Sequence, residues 1–406
     1  MIGNPDSVTF SYELRFFMKN FKTHRAYVSG IPPQVALATL IMALAIFGIL
    51  ASTAQAQTYT VIHAFTGGTD GEFPVGLTLD PAGNQYGVTQ GGGTHKAGTV
   101  FKFDTSGHET VLFNFKGPAQ KGGFPDGVLF RDAAGTLYGT TVYGGILPFA
   151  GTVFALSPNG KNKQWRNLSS EPFAGVIADP DGNLFGTTPL SVYEIRNNSV
   201  KTLHNFTGTP DGWVCHISLL RDASGNLYGT TVYGGLFGQG VVFKIDSAGN
   251  ETVVYSFTGG ADGGTPSGSL IEDASGNLYS TTANGGAYNQ GTVFKLDPSG
   301  RETVLYSFAG GTDGWAPVAG LTSDPEGNFY GTTLAGGGFI GYGTVFKLDT
   351  TGKETVLYRF TGGKDGASPF AGVVRDAAGN LYGTTGSGGD FGCREYGCGV
   401  IYKLKP

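Results

Sequence analysis

A seven-residue phrase, written GNLYGTT at 225–231 and again at 379–385, recurs with small changes along most of the chain. Each copy follows an aspartate by three residues, and successive aspartates are 43 to 52 residues apart. The aspartates are Asp80, Asp132, Asp179, Asp222, Asp273, Asp324 and Asp376. A repeat with a period near fifty indicates a solenoid, a propeller or another array of similar units.

Each repeat contains four runs that are typical of β-strands. In the unit 262–308 these runs are Gly268–Glu272, Asn277–Thr282, Thr292–Leu296 and Glu302–Phe308. They are rich in Val, Leu, Tyr, Phe and Thr and are bounded by Gly, Asp, Pro or Ser, as strands and turns require. Helical periodicity is absent from 57–406. Four short strands in each of seven units predict the blades of a β-propeller.

The two ends of the repeat region complement each other. The stretch YTVIHAF (59–65) matches only the fourth run of a repeat, and GVIYKLKP (399–406) matches only the third. We therefore predict an all-β, seven-bladed β-propeller of four-stranded antiparallel blades, closed when the N-terminal strand joins the C-terminal blade. Such closure leaves no open sheet edge between the ends. A parallel β-solenoid is the alternative, but fifty residues is long for one coil.

The repeated phrases resemble those of a known family. GNLYGTT, GTVFKLD (291–297 and 343–349) and ETVLYSF (302–308) are similar to the GloVer (Gloeo/Verruco) tandem repeat, and the resemblance covers nearly all of 59–404. This family consists of exported bacterial repeat proteins with differing sorting signals or anchors. The resemblance implies export and repetition and brings no known activity with it.

The first 56 residues differ from the repeats. Four basic residues precede an apolar run from Val35 to Ala51, which is followed by Ala54-Gln55-Ala56. A basic region, a short apolar core and a small-x-small site are the parts of a secretory signal peptide. We expect 1–56 to be this signal and 57–406 to be the propeller, exported to the periplasm, the cell surface or the medium. An uncleaved N-terminal anchor is the alternative. No second apolar run of spanning length follows.

The net charge bears on which partners the protein can bind, and the cysteines bear on possible disulfides and metal sites. Without the four basic and two acidic residues of 1–56, the chain carries 22 basic and 29 acidic residues, a net charge of −7. Nucleic-acid binding is not expected because no basic patch is visible. Cys393 and Cys398 lie in one loop and are a candidate disulfide, whereas Cys215 stands alone. We predict no metal site and no cofactor.

Three features of the repeat unit receive structural interpretations. The glycine at the fifth position of the phrase, Gly229 in the fourth copy, is predicted to be required for its small size, so that the backbone or an aromatic ring of the next blade can approach. The seven aspartates are predicted to cap turns, with calcium binding as the alternative. Lys295 and Glu302, with their equivalents Lys244 and Glu251 and Lys347 and Glu354, are expected to form cross-strand pairs on an exposed edge.

Candidate ligand contacts lie in two sets of loops. In a four-stranded blade, the connections after the second and fourth strands open on the same face of the ring, and here both are rich in glycine and aromatic residues. Aromatic side chains on loops held by a rigid scaffold commonly bind ligands, and flat rings with polar neighbours suit sugar faces. Local packing of these rings is the alternative. The predicted ligand-binding residues are Phe73, Phe124, Tyr143, Trp213, Tyr233, Tyr288 and Trp315.

The third repeat departs from the others. PLSVYEI follows its GTT without the usual glycine pair, and NLSSEPFAG replaces the T-G-G-x-D-G loop before it. Both connections on the aromatic face are therefore expected to be short near Ser169 to Phe173 and Pro189 to Val192. Such a notch could admit an extended polymer, or the repeat has simply degraded.

These features support two classes of function. The first is a non-catalytic exported binding or surface-interaction module, with polysaccharide or another cell-surface polymer as its partner. The second is an enzyme, such as a lyase or glycosidase, and a structural envelope component is a further option. Catalysis needs a constellation that breaks the repeat symmetry. His204, Cys215 and His216 lie close in sequence near the third and fourth repeats, but we interpret them as packing residues. No catalytic residue is predicted.

Overall fold

The computed structural model describes residues 57–117, 122–145, 150–161, 163–338, 341–390, 392 and 395–406. The predicted signal peptide, 1–56, lies outside the described residues. Gln57–Pro406 forms one compact unit. Within the described residues no helix is long and apolar enough to cross a membrane.

The described chain forms 29 strands in seven antiparallel sheets. The strands are β1 (Thr58–Ala64), β2 (Glu72–Leu79), β3 (Gln85–Gly91), β4 (Thr99–Phe103), β5 (Glu109–Asn114), β6 (Gly123–Arg131), β7 (Leu137–Tyr143), β8 (Thr152–Leu156), β9 (Lys163–Asn167), β10 (Ile177–Ala178), β11 (Leu184–Thr188), β12 (Ser191–Arg196), β13 (Ser199–Asn205), β14 (Leu220–Arg221), β15 (Leu227–Thr231), β16 (Val241–Ile245), β17 (Glu251–Ser256), β18 (Gly264–Pro266), β19 (Ile271–Glu272), β20 (Leu278–Asn284), β21 (Thr292–Leu296), β22 (Glu302–Ser307), β23 (Thr322–Ser323), β24 (Phe329–Thr333), β25 (Thr344–Leu348), β26 (Glu354–Arg359), β27 (Val374–Arg375), β28 (Leu381–Thr384) and β29 (Val400–Lys405).

The sheets are the seven blades of a β-propeller. Blades 1 to 6 are the consecutive sets β2–β5, β6–β9, β10–β13, β14–β17, β18–β22 and β23–β26, and each is a meander in chain order. In blade 5 both β18 and β19 pair with β20, so its inner strand is in two pieces. The predicted seven-bladed fold is confirmed.

Blade 7 is built from both ends of the chain. Its order is β1-β29-β28-β27, with Thr58 opposite Lys405 and Ala64 opposite Val400. Tyr59 on β1 also stacks on Tyr358 of blade 6, with the ring centroids 3.7 Å apart. The N-terminal strand therefore closes the ring as predicted and contacts the preceding blade as well.

The core lies between neighbouring blades. One cluster joins Val293 and Phe308 of blade 5 to Leu321 and Phe346 of blade 6, and the other clusters connect neighbouring blades in the same way. These side chains come from alternating positions of short strands, because successive residues of a strand face opposite sides of the sheet. Each blade is thus apolar on both faces and stable only against its neighbours.

The inner strand differs from the prediction. Gly268–Glu272 was expected to be one strand, but only Ile271–Glu272 is, and a separate strand covers Gly264–Pro266. Between them the backbone carbonyl of Gly268 accepts a hydrogen bond from the Ser280 hydroxyl at 2.9 Å. Side-chain hydroxyls thus satisfy carbonyls that a strand partner would otherwise bind.

The expected pairs between Lys295 and Glu302 and their equivalents are wrong. Lys295 lies opposite Thr303 and Glu302 lies opposite Leu296, so the lysine and the glutamate are on opposite faces of the sheet. The ammonium of Lys295 instead lies over the Tyr279 ring, 5.8 Å from its centroid, and Lys244 and Lys347 take the same position over tyrosines. Glu302 turns toward the crevice between blades.

Candidate functional site

The two faces of the ring differ in their connections. On one face the strands are joined by tight turns that the repeated aspartates cap. The Asp273 carboxylate accepts hydrogen bonds from the backbone N–H groups of Ser275 and Asn277, from the Asn277 side chain and from the Tyr279 hydroxyl. Desolvation acts against these bonds, but they outweigh it and lower the pKa of Asp273 to about 2. This face presents compact turns, as predicted.

The opposite face, here called the aromatic face, carries the connections after the second and fourth strands. All nine exposed aromatic side chains of the described residues lie in or beside these connections. They are Phe124, Trp213, Tyr233, Phe237, Tyr288, Trp315, Tyr342, Phe370 and Tyr396. In the part of the chain that the structure describes, exposed aromatic side chains are therefore confined to one face.

Trp213 and Tyr233 are joined through their backbones. The Trp213 N–H donates to the Tyr233 carbonyl at 2.7 Å, and the Tyr233 N–H donates back at 3.0 Å. The two residues therefore lie directly opposite each other above blade 4. The Trp213 side chain is 50% exposed and the Tyr233 side chain is 48% exposed. This backbone ladder fixes the backbone of both residues, so little backbone freedom remains to be lost there when a ligand binds.

Trp315 occupies the equivalent position above blade 6. Its backbone pairs with Ala335, and its ring is 44% exposed. Tyr288 lies in the connection of the intervening blade 5 and is 61% exposed. The predicted residues therefore present rings on three consecutive blades.

Phe73 and Phe124 depart from the tryptophan pattern by one residue. Trp213 directly follows Asp-Gly, whereas Phe73 is the second residue after it, and both phenylalanines have a positive φ, 57° and 56°. The Phe124 ring packs edge-on against Tyr143 at 5.9 Å. Phe73 instead lines a cavity on the ring axis. Phe73 and Tyr143 are half-buried, so these two predicted residues offer less surface than the others.

The cavity on the ring axis receives residues from all seven blades. Its volume is about 320 Å³, and its mouth lies where the inner strands begin, on the aromatic face. Its lining includes Asp126, Phe173, His216 and Phe370, each of which directly follows a proline or, in blade 4, Cys215. Sequence reasoning assigned no ligand contact to these positions. The position is marked in the sequence by the proline before it, which six of the seven repeats share.

The variant third repeat forms part of this rim. Pro189 and Leu190 alone join β11 to β12, whereas residues 232–240 make the same connection in blade 4. Cys215 takes the place that proline has in the other six blades, and its N–H donates to the Pro189 carbonyl at 3.1 Å. Burial raises the pKa of the Cys215 thiol to about 12. Both connections of blade 3 are short, as predicted.

The three residues near the variant repeat have separate surroundings. His204 Nε2 lies 3.1 Å from Asp211 Oδ2, the same contact that His63 makes with Asp70 in the closing blade. The His216 ring lies 4.6 Å from the Phe173 ring and faces the cavity. His204 therefore supports a loop, whereas His216 belongs to the cavity.

Comparison with models of known families identifies the family of this chain. The model of the Gloeobacter/Verrucomicrobia repeat matches residues 46–192 and 190–402. The chain belongs to the Gloeobacter/Verrucomicrobia repeat family. This match confirms the resemblance seen in the repeated phrases. No curated protein sequence matches the chain.

Three solved structures were found to be similar to this Gloeobacter/Verrucomicrobia repeat protein. The extracellular domain of a hybrid two-component system protein of B. thetaiotaomicron is similar with a TM-score of 0.54 and 15% identity, over 86% of this chain and 41% of that chain. A gluconolactonase of Xanthomonas campestris gives 0.43 and 13%, over 82% and 96% of the two chains. A candidate gluconolactonase from structural genomics gives 0.45 and 10%, over 86% and 92%. The likeness to the extracellular domain concerns the fold alone, and nothing is argued from the other two structures.

The cysteines of the described residues differ in their state. Cys398 is disulfide-bonded, and Cys215 is a free, buried thiol. Cys393, the predicted partner of Cys398, lies outside the described residues. Among the described residues, no group of three His, Cys, Asp or Glu side chains is arranged to hold a metal ion.

Proposed function

We propose that this repeat protein is an exported, non-catalytic binding module that holds polysaccharide or another cell-surface polymer on its aromatic face. The observation that carries the proposal is the restriction of all nine exposed aromatic rings of the described residues to that face. Monomeric proteins rarely leave clustered apolar groups in water unless they bind something. Trp and Tyr rings combine a flat apolar surface with a polar edge and therefore suit sugar rings.

Repetition favours an extended ligand over a small one. Trp213 and Trp315 stand at equivalent positions above blades 4 and 6, with Tyr288 on the blade between them. Two weak contacts made by one polymer act at a high effective concentration, so their combined affinity exceeds that of either contact. The short connections of blade 3 leave room on the rim for a chain to cross.

Export is part of the proposal. The pattern of 1–56 is that of a secretory signal, and the disulfide at Cys398 is typical of an oxidising compartment. We place the protein in the periplasm, on the cell surface or in the medium, where polysaccharides are accessible.

The geometry favours binding over glycoside hydrolysis. Most glycosidases use two carboxyl groups on either side of the scissile bond. Among the described residues that line the cavity, Asp126 is the one carboxylate. A binding role needs only the exposed rings.

Affinity electrophoresis tests the proposal. The purified protein is run through gels that contain one of a panel of neutral and acidic polysaccharides. We expect at least one polymer to retard the protein, Trp213→Ala and Trp315→Ala each to weaken retardation, and the double variant to abolish it. Val200→Ala is the control, because Val200 is exposed on β13 outside the aromatic face and its loss should leave retardation unchanged. Equal retardation of the double variant would contradict the proposal.

A further inference from the structure

The cavity on the ring axis breaks the sevenfold repetition at one position. The residue after the conserved proline, or after Cys215, faces the cavity in every blade. It is valine in two blades, phenylalanine in two, serine in one, and Asp126 and His216 in the remaining two. All seven of these side chains line one cavity, so together they give it a chemistry that no single repeat encodes.

Asp126 supplies the charge of the cavity. Its Oδ1 accepts a hydrogen bond from the Gly127 N–H at 2.8 Å, and the Gln90 side chain also bonds to it. Desolvation outweighs these bonds and raises its pKa to about 6, so the carboxylate is ionised at neutral pH. The described residues lining the cavity include no lysine or arginine. A desolvated carboxylate in this position is stabilised by a cation.

His216 does not oppose a cation at neutral pH. Its ring packs beside Phe173, and desolvation lowers its pKa, so the imidazole is neutral. Asp126 and His216 are the titratable groups among the described lining residues. The field at the mouth is therefore that of one negative charge.

The remaining walls select the type of cation. Phe73, Phe173 and Phe370 line the same cavity, and aromatic rings attract cations at close range. A calcium ion would require six to eight oxygen ligands, and the lining residues do not supply such a set. The volume of about 320 Å³ is at the lower end of the range that holds small organic molecules, roughly 300 to 1,000 Å³. A carboxylate among aromatic rings suits an ammonium group that carries carbon substituents.

We propose that the mouth of the axial cavity binds a small organic ammonium ion, with Asp126 as its counter-ion and the rings of Phe73, Phe173 and Phe370 around it. This site is separate from the exposed tryptophans and does not depend on polysaccharide binding. A cationic group on a larger molecule would enter in the same way.

Calorimetric titration with choline tests this site. Choline is permanently charged, so any pH dependence belongs to the protein. Its uncharged carbon analogue, with carbon in place of the ammonium nitrogen, has the same shape. We expect choline to bind at least about ten-fold more tightly than this analogue at about pH 7.5. At about pH 5 roughly one-tenth of a carboxyl group with a pKa of about 6 is ionised, so choline affinity should fall about ten-fold.

Variants assign the effect to named residues. Asp126→Asn keeps an oxygen for the Gly127 N–H but removes the charge, and should weaken choline binding at least about ten-fold. Phe370→Leu should weaken it several-fold, since Phe370 is 59% exposed and its loss removes a ring without opening the core. Asp181→Asn is the matched control, because Asp181 lies exposed on a turn of the opposite face.

The wild-type protein alone can overturn the inference. Absence of saturable choline binding, or equal affinity for choline and its carbon analogue, would contradict it. If Asp126→Asn does not fold, the comparison of the two ligands and of the two pH values still decides. Loss of polysaccharide retardation in the tryptophan variants with unchanged choline binding would show that the two sites are distinct.

Discussion

At the scale of single residues, each letter of the repeated phrase has a physical role. In the fourth copy, Asn226 donates to the Asp222 carboxylate that caps the turn, and the Tyr228 hydroxyl donates to it as well. The Thr230 hydroxyl donates to the Pro266 carbonyl of the next blade at 3.1 Å. The phrase therefore caps a turn and joins neighbouring blades in one stretch of seven residues.

Gly229 is small because an aromatic ring lies against it. A Cβ atom at Gly229 would lie 2.5 Å from Cζ of Phe243, which is directly opposite on the adjacent strand. The predicted need for a small residue holds, but the prediction that the next blade approaches here is wrong, because the ring belongs to the adjacent strand of the same blade. Six copies have glycine at this position, and the fifth has Ser280, whose hydroxyl finds the Gly268 carbonyl.

We predict that Gly229→Val destabilises the protein by about 1–3 kcal/mol, because the added methyl groups force the buried Phe243 ring out of its place. Gly229→Ser should cost less, since one repeat already accommodates serine. Thermal unfolding of both variants measures the difference. A valine variant that melts within about 1 °C of the wild type would contradict the packing argument.

At the scale of the strand pair, the outer hairpins carry a carboxyl group that is partly removed from water. Glu302 begins β22, and its buried Oε1 has no hydrogen-bond partner among the described residues. Desolvation, with a smaller contribution from nearby Asp262, raises the pKa of Glu302 to about 7. Glu109 and Glu354 occupy equivalent positions, and their pKa values are also raised to about 7.

These groups predict a loss of stability with rising pH. A raised pKa means that the folded protein holds the proton more tightly than the unfolded chain does. The associated stability is complete below the ordinary pKa of 4.5 and is lost as the pH rises through about 7. Asp273, whose pKa is lowered to about 2, loses its contribution only at much lower pH and does not interfere.

We expect Glu302→Gln to raise the melting temperature at about pH 8 and to change it little at about pH 5. The gain is limited to about 1 kcal/mol, because the side chain is only partly buried and water screens it. Melting curves at the two pH values measure it, with Glu326→Gln, on an exposed turn, as the control. A Glu302→Gln protein less stable than the wild type at about pH 8 would show that the ionised carboxylate is favourable there.

The strands and the closure of the ring could be predicted from the sequence, but one side-chain pairing and the axial cavity could not. The period, the strand runs and the matching ends predict the propeller and its closure, because each depends on local patterns. The Lys295 and Glu302 pairing failed, because a one-residue register difference decides which face a side chain takes. The cavity was missed, because Asp126, His216 and Phe370 are about 90 to 240 residues apart and meet only when the ring closes.

At the scale of the whole molecule, the two faces of the ring differ in their connections. One face consists of short turns capped by aspartates, and the other holds the long connections with every exposed aromatic ring of the described residues. The repeated phrase builds the first face and the contacts between blades. Variation between repeats is left to the second face and to the axial cavity. A rigid scaffold with variable loops is a common arrangement for binding proteins.

The most direct test of this account is a tryptophan fluorescence titration of the protein with the polysaccharide panel. Trp213 and Trp315 are exposed, whereas Trp165 packs against Phe113, Phe115 and Phe154 and serves as an internal reference. We predict a saturable change with at least one polymer, and its loss in the Trp213→Ala and Trp315→Ala double variant. A folded protein, shown by its β-type circular dichroism, whose fluorescence responds to no polymer would contradict the account.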